Sequence, residues 1–134
     1  MQVRNQSWTA DFGDIDNDGV LELASGGHLY KSKAPAGNHW VGIKLIGNGK
    51  TVNRSAIGAQ VILSGRTGKL LRQVEAGTGE GNQSDLRLHF GVGKADDSID
   101  ADVYWPDGTR QVLRHIQVDR MHVITQGGNR TSYR

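Results

Sequence analysis

Apolar and polar residues alternate in short runs along most of the chain, and helical periodicity is almost absent. From residue 38 onward, such runs are separated by turns that contain glycine, for example Gly65–Gly68 and Pro106–Gly108. Alternation with a period of two is typical of strands that bury one face. The seven predicted strands are His39–Ile46, Ala59–Ser64, Lys69–Ala76, Leu86–Phe90, Ala101–Trp105, Arg110–Val118 and Met121–Gln126. The pattern therefore predicts an all-β fold, an antiparallel sandwich or barrel, over residues 38–126.

The first 37 residues have a different organisation. Ser7–Phe12 and Val20–Ser25 are predicted to form one β-hairpin around an acidic loop, and Lys31–Gly37 has the composition of a linker. We therefore expect a hairpin with its linker at 1–37, the strand-rich unit at 38–126 and a flexible tail at 127–134. A lone hairpin leaves a strand edge unpaired. It is expected to fold onto the strand-rich unit or to pair with another copy as a homo-oligomer.

Composition excludes several classes of protein. The chain has 134 residues and a formal net charge of +2, which is too small to indicate a nucleic-acid partner. It has no cysteine, so disulfides, zinc–thiolate sites and cysteine nucleophiles are excluded. No apolar run approaches the roughly 18 residues of a membrane span, so no membrane insertion is expected. The first residues also lack the apolar segment of a signal peptide.

Residues 14–22, with the sequence DIDNDGVLE, concentrate four carboxylates in a slightly basic chain. Carboxylates this close repel one another unless a cation lies between them. Calcium takes about six to eight oxygen ligands, and carboxylates at alternate positions before a glycine can surround it. The predicted ligands are the carboxylates of Asp14, Asp16, Asp18 and Glu22 and the backbone carbonyl of Val20. An EF-hand would have glutamate at position twelve, where this chain has Ser25, and helices as flanks.

Other interpretations of the charged residues stay open at this point. The loop could be a solvated turn, since Asp, Asn and Gly are turn formers, and magnesium is disfavoured because it retains its waters. A second acidic cluster lacks the alternating pattern and is predicted to be a solvated loop; it comprises Asp96, Asp97, Asp100 and Asp102. A basic surface for anionic glycans would form if four arginines faced the same way, namely Arg72, Arg87, Arg110 and Arg114. No histidine or serine has the spacing of a catalytic site, so no enzymatic activity is expected.

Four motifs follow the acidic loop in order: Asn38–Val41, Asn53–Ala59, Leu88–Gly93 and Trp105–Gly108. Together they resemble the ASPIC/UnbV domain over about residues 38–126. The loop resembles the calcium loop of FG-GAP/VCBS repeats, which form blades of β-propellers. The resemblance implies a β-sandwich of about seven strands, a calcium-binding propeller upstream and a secreted or cell-surface setting. It implies the same five calcium ligands, with Glu22 where the repeats commonly have aspartate, and no catalytic residues.

The sequence thus predicts a non-enzymatic, calcium-binding recognition module of the adhesion type, whose partner is a protein or a glycan. The alternative is a carbohydrate-binding module in which Trp40 or Tyr104 stacks on a sugar ring. Trp40 has the opposite parity to Val41 and Ile43, so it is expected on an outer face. There it either packs against the hairpin or offers a platform to a ligand. Trp105 is expected in the core.

Overall fold

Strands make up the regular structure of this chain. The computed structural model describes residues 9–66, 68–77, 79, 81–94 and 99–133. The strands within these ranges are β1 (Ala10–Gly13), β2 (Glu22–Ser25), β3 (His28–Lys31), β4 (His39–Ile46), β5 (Gln60–Gly65), β6 (Gly68–Gln73), β7 (Leu88–Gly93), β8 (Ile99–Tyr104), β9 (Arg110–Ile116), β10 (Arg120–Thr125) and β11 (Arg130–Tyr133). The described part of the chain contains no helix with the length and apolar character needed to cross a membrane.

The strands form three sheets. Two four-stranded sheets, with the orders β11-β10-β4-β7 and β6-β5-β8-β9, face each other, and β1, β2 and β3 form a small third sheet. The all-β sandwich is confirmed, and each of the seven predicted strands is present: β4 has the predicted bounds, and the other six have ends shifted by up to three residues. One departure is a parallel pair: β10 runs beside β4 from Arg120 opposite Val41 to Thr125 opposite Ile46. A second departure is β11, which lies in the predicted tail and pairs with β10.

The two large sheets bury a common apolar core. Val41 and Ile43 of β4 and Phe90 of β7 are fully buried, as are Val61 and Val103 of the facing sheet. Each side chain of this size stabilises the fold by about 1.5–3 kcal/mol when it leaves water. Trp105 is only 4% exposed and joins this core, as predicted. The core thus fixes which side chains of β4 and β7 point outward.

The N-terminal unit is a three-stranded sheet rather than a hairpin. The prediction missed β3, which follows the turn at Gly26-Gly27 and places Lys31 opposite Glu22 of β2. Lys31 therefore ends a strand, although the sequence pattern assigned it to a linker. In the predicted strand Ser7–Phe12, Ser7 and Trp8 lie outside the described residues.

The small sheet lies against the outer face of the β11-β10-β4-β7 sheet. Met121 of β10 is in register with Gly42, whose neighbours Val41 and Ile43 point into the core, so Met121 points outward. Even so, Met121 is only 3% exposed. It lines a cavity of about 190 Å³ that is also lined by Phe12 and Leu21 of the N-terminal unit. The unit thus folds onto its own sandwich, as one of the two expectations had it.

Candidate metal centre

Three aspartates converge in the loop between β1 and β2. Asp14, Asp16 and Asp18 each place a carboxylate oxygen within 4.8 Å of the others. Asp14 is buried, and its two carboxylate oxygens accept hydrogen bonds from the amides of Asp18 and Gly19, both at 3.1 Å. Asp16 and Asp18 are exposed. Asp14 therefore organises the backbone of the loop, while the other two carboxylates face outward.

Glu22, the fourth predicted carboxylate ligand, is 2% exposed at the start of β2. Its Oε2 accepts a hydrogen bond from the amide of Ile15 at 2.9 Å. Its Oε1 is buried and has no hydrogen-bond partner in the described part of the chain. A buried carboxylate oxygen without a donor is costly, and a hard cation coordinated by oxygen would offset that cost. The donor set therefore fits calcium. Val20, whose carbonyl is the fifth predicted ligand, donates its amide to Oδ1 of Asp18 at 2.9 Å.

Lys31 reaches this loop from β3 and was not predicted to take part. Its Nζ contacts Oδ2 of Asp16 and lies 2.8 Å from Oδ2 of Asp18 and 3.9 Å from Oε1 of Glu22. The hydrogen bond from Lys31, followed by the one from the Val20 amide, holds the pKa of Asp18 below its usual range. Hydrogen bonds to Asp16 and Asp18 in turn raise the pKa of Lys31. The ammonium group offsets part of the repulsion between the carboxylates.

The sandwich holds the acidic loop through Arg87, which comes just before β7. Its Nη1 donates to Oδ1 of Asn17 and its Nη2 to the carbonyl of Asp14, both at 2.7 Å. Nε and Nη2 also pair with Oδ2 of Asp85, and this contact raises the pKa of Arg87. The sequence pattern indicated Arg87 only as part of a possible basic surface. Its outward position could be inferred from the inward position of Leu88, but its partner could not.

Trp40 and His89 complete the contact between the sandwich and the loop. Their rings stack with centroids 5.9 Å apart and an interplanar angle of 9°. Nε2 of His89 donates to the carbonyl of Gly19 at 2.8 Å. Trp40 packs so closely on Gly19 that a Cβ added there would lie 2.1 Å from Cδ1 and Nε1 of the indole. Trp40 thus lies on an outer face and packs against the N-terminal unit.

The structure does not bring Tyr104 to this site. Tyr104 lies on the outer face of the other sheet, because its neighbour Val103 points into the core. The guanidinium of Arg110 lies 5.6 Å from the centroid of its ring. Trp40 and Tyr104 therefore lie on the outer faces of different sheets and do not contribute to one binding site.

The alternative of a basic surface required four arginines to face the same way, and the structure does not place them so. Arg110 pairs with Asp102 at 2.9 Å, and Arg114 pairs with Asp100 at 2.7 Å, on the opposite sheet from Arg87. Arg72 lies over the ring of Phe90, with 5.9 Å between its Cζ and the ring centroid. These two ion pairs also involve two members of the second acidic cluster, Asp100 and Asp102. Its other members, Asp96 and Asp97, lie outside the described residues.

Comparison with known proteins identifies the sandwich. The profile of the ASPIC and UnbV family matches residues 49–131, more than half of the chain, and the acidic loop lies outside this match. Cartilage acidic protein 1 of Xenopus tropicalis is 33% identical over 104 residues, which cover 71% of this chain and 16% of the relative. The protein of the same name from Homo sapiens is 28% identical over 127 residues, which cover 84% and 18%. The chain spans less than a fifth of the length of these curated relatives. The chain belongs to the ASPIC/UnbV family.

Proposed function

We propose that this chain is a non-enzymatic recognition module whose N-terminal loop holds a structural calcium ion. The observation that carries the proposal is the buried Oε1 of Glu22, which has no hydrogen-bond donor among the described residues. Calcium would neutralise the loop and coordinate this oxygen. The ligands would be Asp14, Asp16, Asp18, Glu22 and the carbonyl of Val20. Their spacing, and the likeness of the loop to FG-GAP/VCBS repeats, support the same assignment.

The recognition role belongs to the chain as a whole. Membership of the ASPIC/UnbV family and the similarity to cartilage acidic protein 1 support an adhesion-type module in a secreted or cell-surface setting. Its partner would be a protein or a glycan, with no nucleic acid and no catalytic residue involved. Pairing with a second copy through the N-terminal unit stays a prediction.

A thermal melt of metal-stripped protein, with and without millimolar calcium, tests the proposal. A hundredfold excess of calcium over its dissociation constant should stabilise the fold by about 2.7 kcal/mol, because only the folded loop binds the ion. Asp16→Ala should abolish the rise in melting temperature, and magnesium should produce a smaller rise. A melting temperature that calcium leaves unchanged would contradict the assignment.

The groove beside the loop gives a specific reason to keep the carbohydrate alternative. It has a volume of about 540 Å³ and is lined by Trp40, Asp18, His39 and Asp119, among others. A sugar in this groove would contact an aromatic ring and carboxylates, and its binding would depend on calcium through Asp18. A glycan array probed with and without calcium tests this function. Binding that Trp40→Ala removes would support it, whereas an array with no binding would leave a protein as the partner.

A further inference from the structure

Among the described residues, two cationic side chains contact the acidic loop, and they contact different parts of it. Lys31 lies among the carboxylates of Asp16, Asp18 and Glu22. Arg87 instead donates hydrogen bonds to the backbone carbonyl of Asp14 and to the side-chain amide oxygen of Asn17. Lys31 thus contacts the carboxylates that are the proposed metal ligands, while Arg87 contacts groups of the loop that are not among those ligands.

We propose that Arg87 is a positioning residue for the metal loop, so that the sandwich sets the affinity of the loop for calcium. The proposal rests on the proposed calcium site. Arg87 holds the turn from Asp14 to Asn17 in the conformation in which the carboxylates converge. It does so from the sandwich, 73 residues along the chain from Asp14.

The geometry of the loop shows why it needs a support. Asn17 has a φ of 58°, a left-handed conformation that asparagine adopts when its side chain makes a local hydrogen bond. Arg87 stabilises this conformation by donating to the Asn17 side chain. Asp85 pairs with Nε and Nη2 of the same guanidinium group and so fixes the orientation of its planar set of donors. Without the guanidinium group, the carbonyl of Asp14 would lose its hydrogen bond from Arg87, and Asp14 could move. Its carboxylate accepts hydrogen bonds from the amides of Asp18 and Gly19, so these bonds would weaken as well.

Electrostatics alone gives the opposite expectation. A guanidinium group beside a cation site repels calcium, so removal of its charge should tighten binding. The same argument applies to Lys31, which in addition must leave the carboxylates when an ion enters. Lys31→Gln and Arg87→Gln therefore remove the same charge, and only a positioning role predicts that they act in opposite directions.

Calcium titration by calorimetry separates the two accounts. We expect Arg87→Gln to weaken calcium binding by about tenfold or more, as loss of a residue that orients metal ligands commonly does. Arg87→Lys should weaken it as well, although it keeps the charge, because an ammonium group cannot make the planar contacts. Lys31→Gln should bind calcium at least as tightly as the wild type. Binding by Arg87→Gln that equals or exceeds the wild type would overturn the proposal.

Hydrogen exchange in the presence of a chelator provides a readout that requires no metal. Arg87→Gln and Arg87→Lys should accelerate exchange at the amides of Asp18 and Gly19 relative to the wild type. Arg114→Gln, which breaks an arginine–aspartate pair on the other sheet, is the matched control and should leave these amides unchanged. Unchanged exchange in both Arg87 variants would overturn the positioning role. A wild-type protein that binds no calcium would instead refute the proposed function, while the exchange data would still decide the role of Arg87.

Discussion

The indole of Trp40 fills the space into which a side chain at Gly19 would project. A Cβ at Gly19 would lie 2.1 Å from two indole atoms, and the residue has a φ of 85°. The loop therefore needs glycine here for two independent reasons, its backbone conformation and its contact with the sandwich. This contact joins the acidic loop to a strand of the sandwich through packing of the indole against the glycine backbone.

Gly19→Ala should destabilise the protein and reduce its response to calcium, because it combines backbone strain with displacement of Trp40. Gly37→Ala is the matched control, since Gly37 has a φ of 76° but no atom within 4 Å of an added Cβ. The free energy of unfolding of the control should fall only by the strain of the backbone conformation, about 1–2 kcal/mol. Urea unfolding of both variants measures the difference. Equal losses would show that Trp40 does not restrict this position.

Glu22→Gln should abolish the stabilisation by calcium while leaving the metal-free protein about as stable as the wild type. Glutamine keeps the shape of the side chain and the acceptor for the Ile15 amide, but it removes the buried charge that a cation would neutralise. Melting curves with and without calcium measure both quantities. Glu75→Gln, at an exposed position, controls for the change in net charge. A calcium response that survives Glu22→Gln would exclude Glu22 as a ligand.

Asp107→Asn should destabilise the sandwich at neutral pH, and this loss of stability should become smaller at about pH 3. Hydrogen bonds from the Thr109 and Thr51 hydroxyls, each at 2.6 Å, and from Gln126 lower the pKa of Asp107 below its ordinary value of 3.8. The unfolded chain therefore takes up the proton first as the pH falls. The contribution of Asp107 is fully present above about pH 4 and declines progressively as the pH falls from there toward the lowered pKa of the folded state.

Urea unfolding of the wild type and Asp107→Asn at pH 7 and pH 3 measures this contribution. Thr51→Val, which removes one donor and keeps the carboxylate, should give a smaller loss at pH 7. If the free energies of unfolding of the wild type and Asp107→Asn differ by the same amount at both pH values, the pKa of Asp107 is not linked to stability.

The buried His122 should make the fold less stable as the pH falls below about 6.5. Its Nε2 donates to the carbonyl of Gln117 at 2.8 Å, and its Nδ1 is buried without a partner among the described residues. Burial, with a smaller contribution from Arg130 and Arg120, lowers the pKa of His122 below its ordinary value of 6.5. The unfolded state therefore binds the proton first, and stability is greatest above this pH.

The free energy of unfolding measured between pH 7.5 and 5.5 checks this dependence. His122→Gln keeps a donor for Gln117 and should flatten the pH dependence. His28→Gln, on the exposed strand β3, should leave it as in the wild type. If the free energy of unfolding has the same pH dependence in all three proteins, a group other than His122 causes it.

The sequence predicted the strands well because alternation is a local property. The alternation of Val41, Ile43 and Leu45 is enough to predict β4 and the outward position of Trp40. It contains no information about the partner of β4, so the parallel pair with β10 was missed. The strand β3 was missed, although the Gly26-Gly27 pair that precedes it is a common hairpin signal.

The candidate metal centre was predictable only in part, for a related reason. The carboxylates of Asp14, Asp16 and Asp18 are close in sequence, so their convergence follows from spacing. The contacts of Arg87 with this loop depend on how the small sheet docks on the sandwich, and local patterns do not encode that docking. Lys31 could have been found once β3 was paired with β2, since it lies opposite Glu22.

The position of β10 has a consequence for synthesis of the protein. β4 lies between β7 and β10, and β10 is synthesised only after β5 to β9, so β4 lacks this neighbour until those strands have been made. A nascent chain that has emerged only through β9 has one side of β4 unpaired and the core around Ile124 incomplete. We therefore expect the sandwich to close only after β10 has left the ribosome, with β4 dependent on chaperones or on transient partners until then.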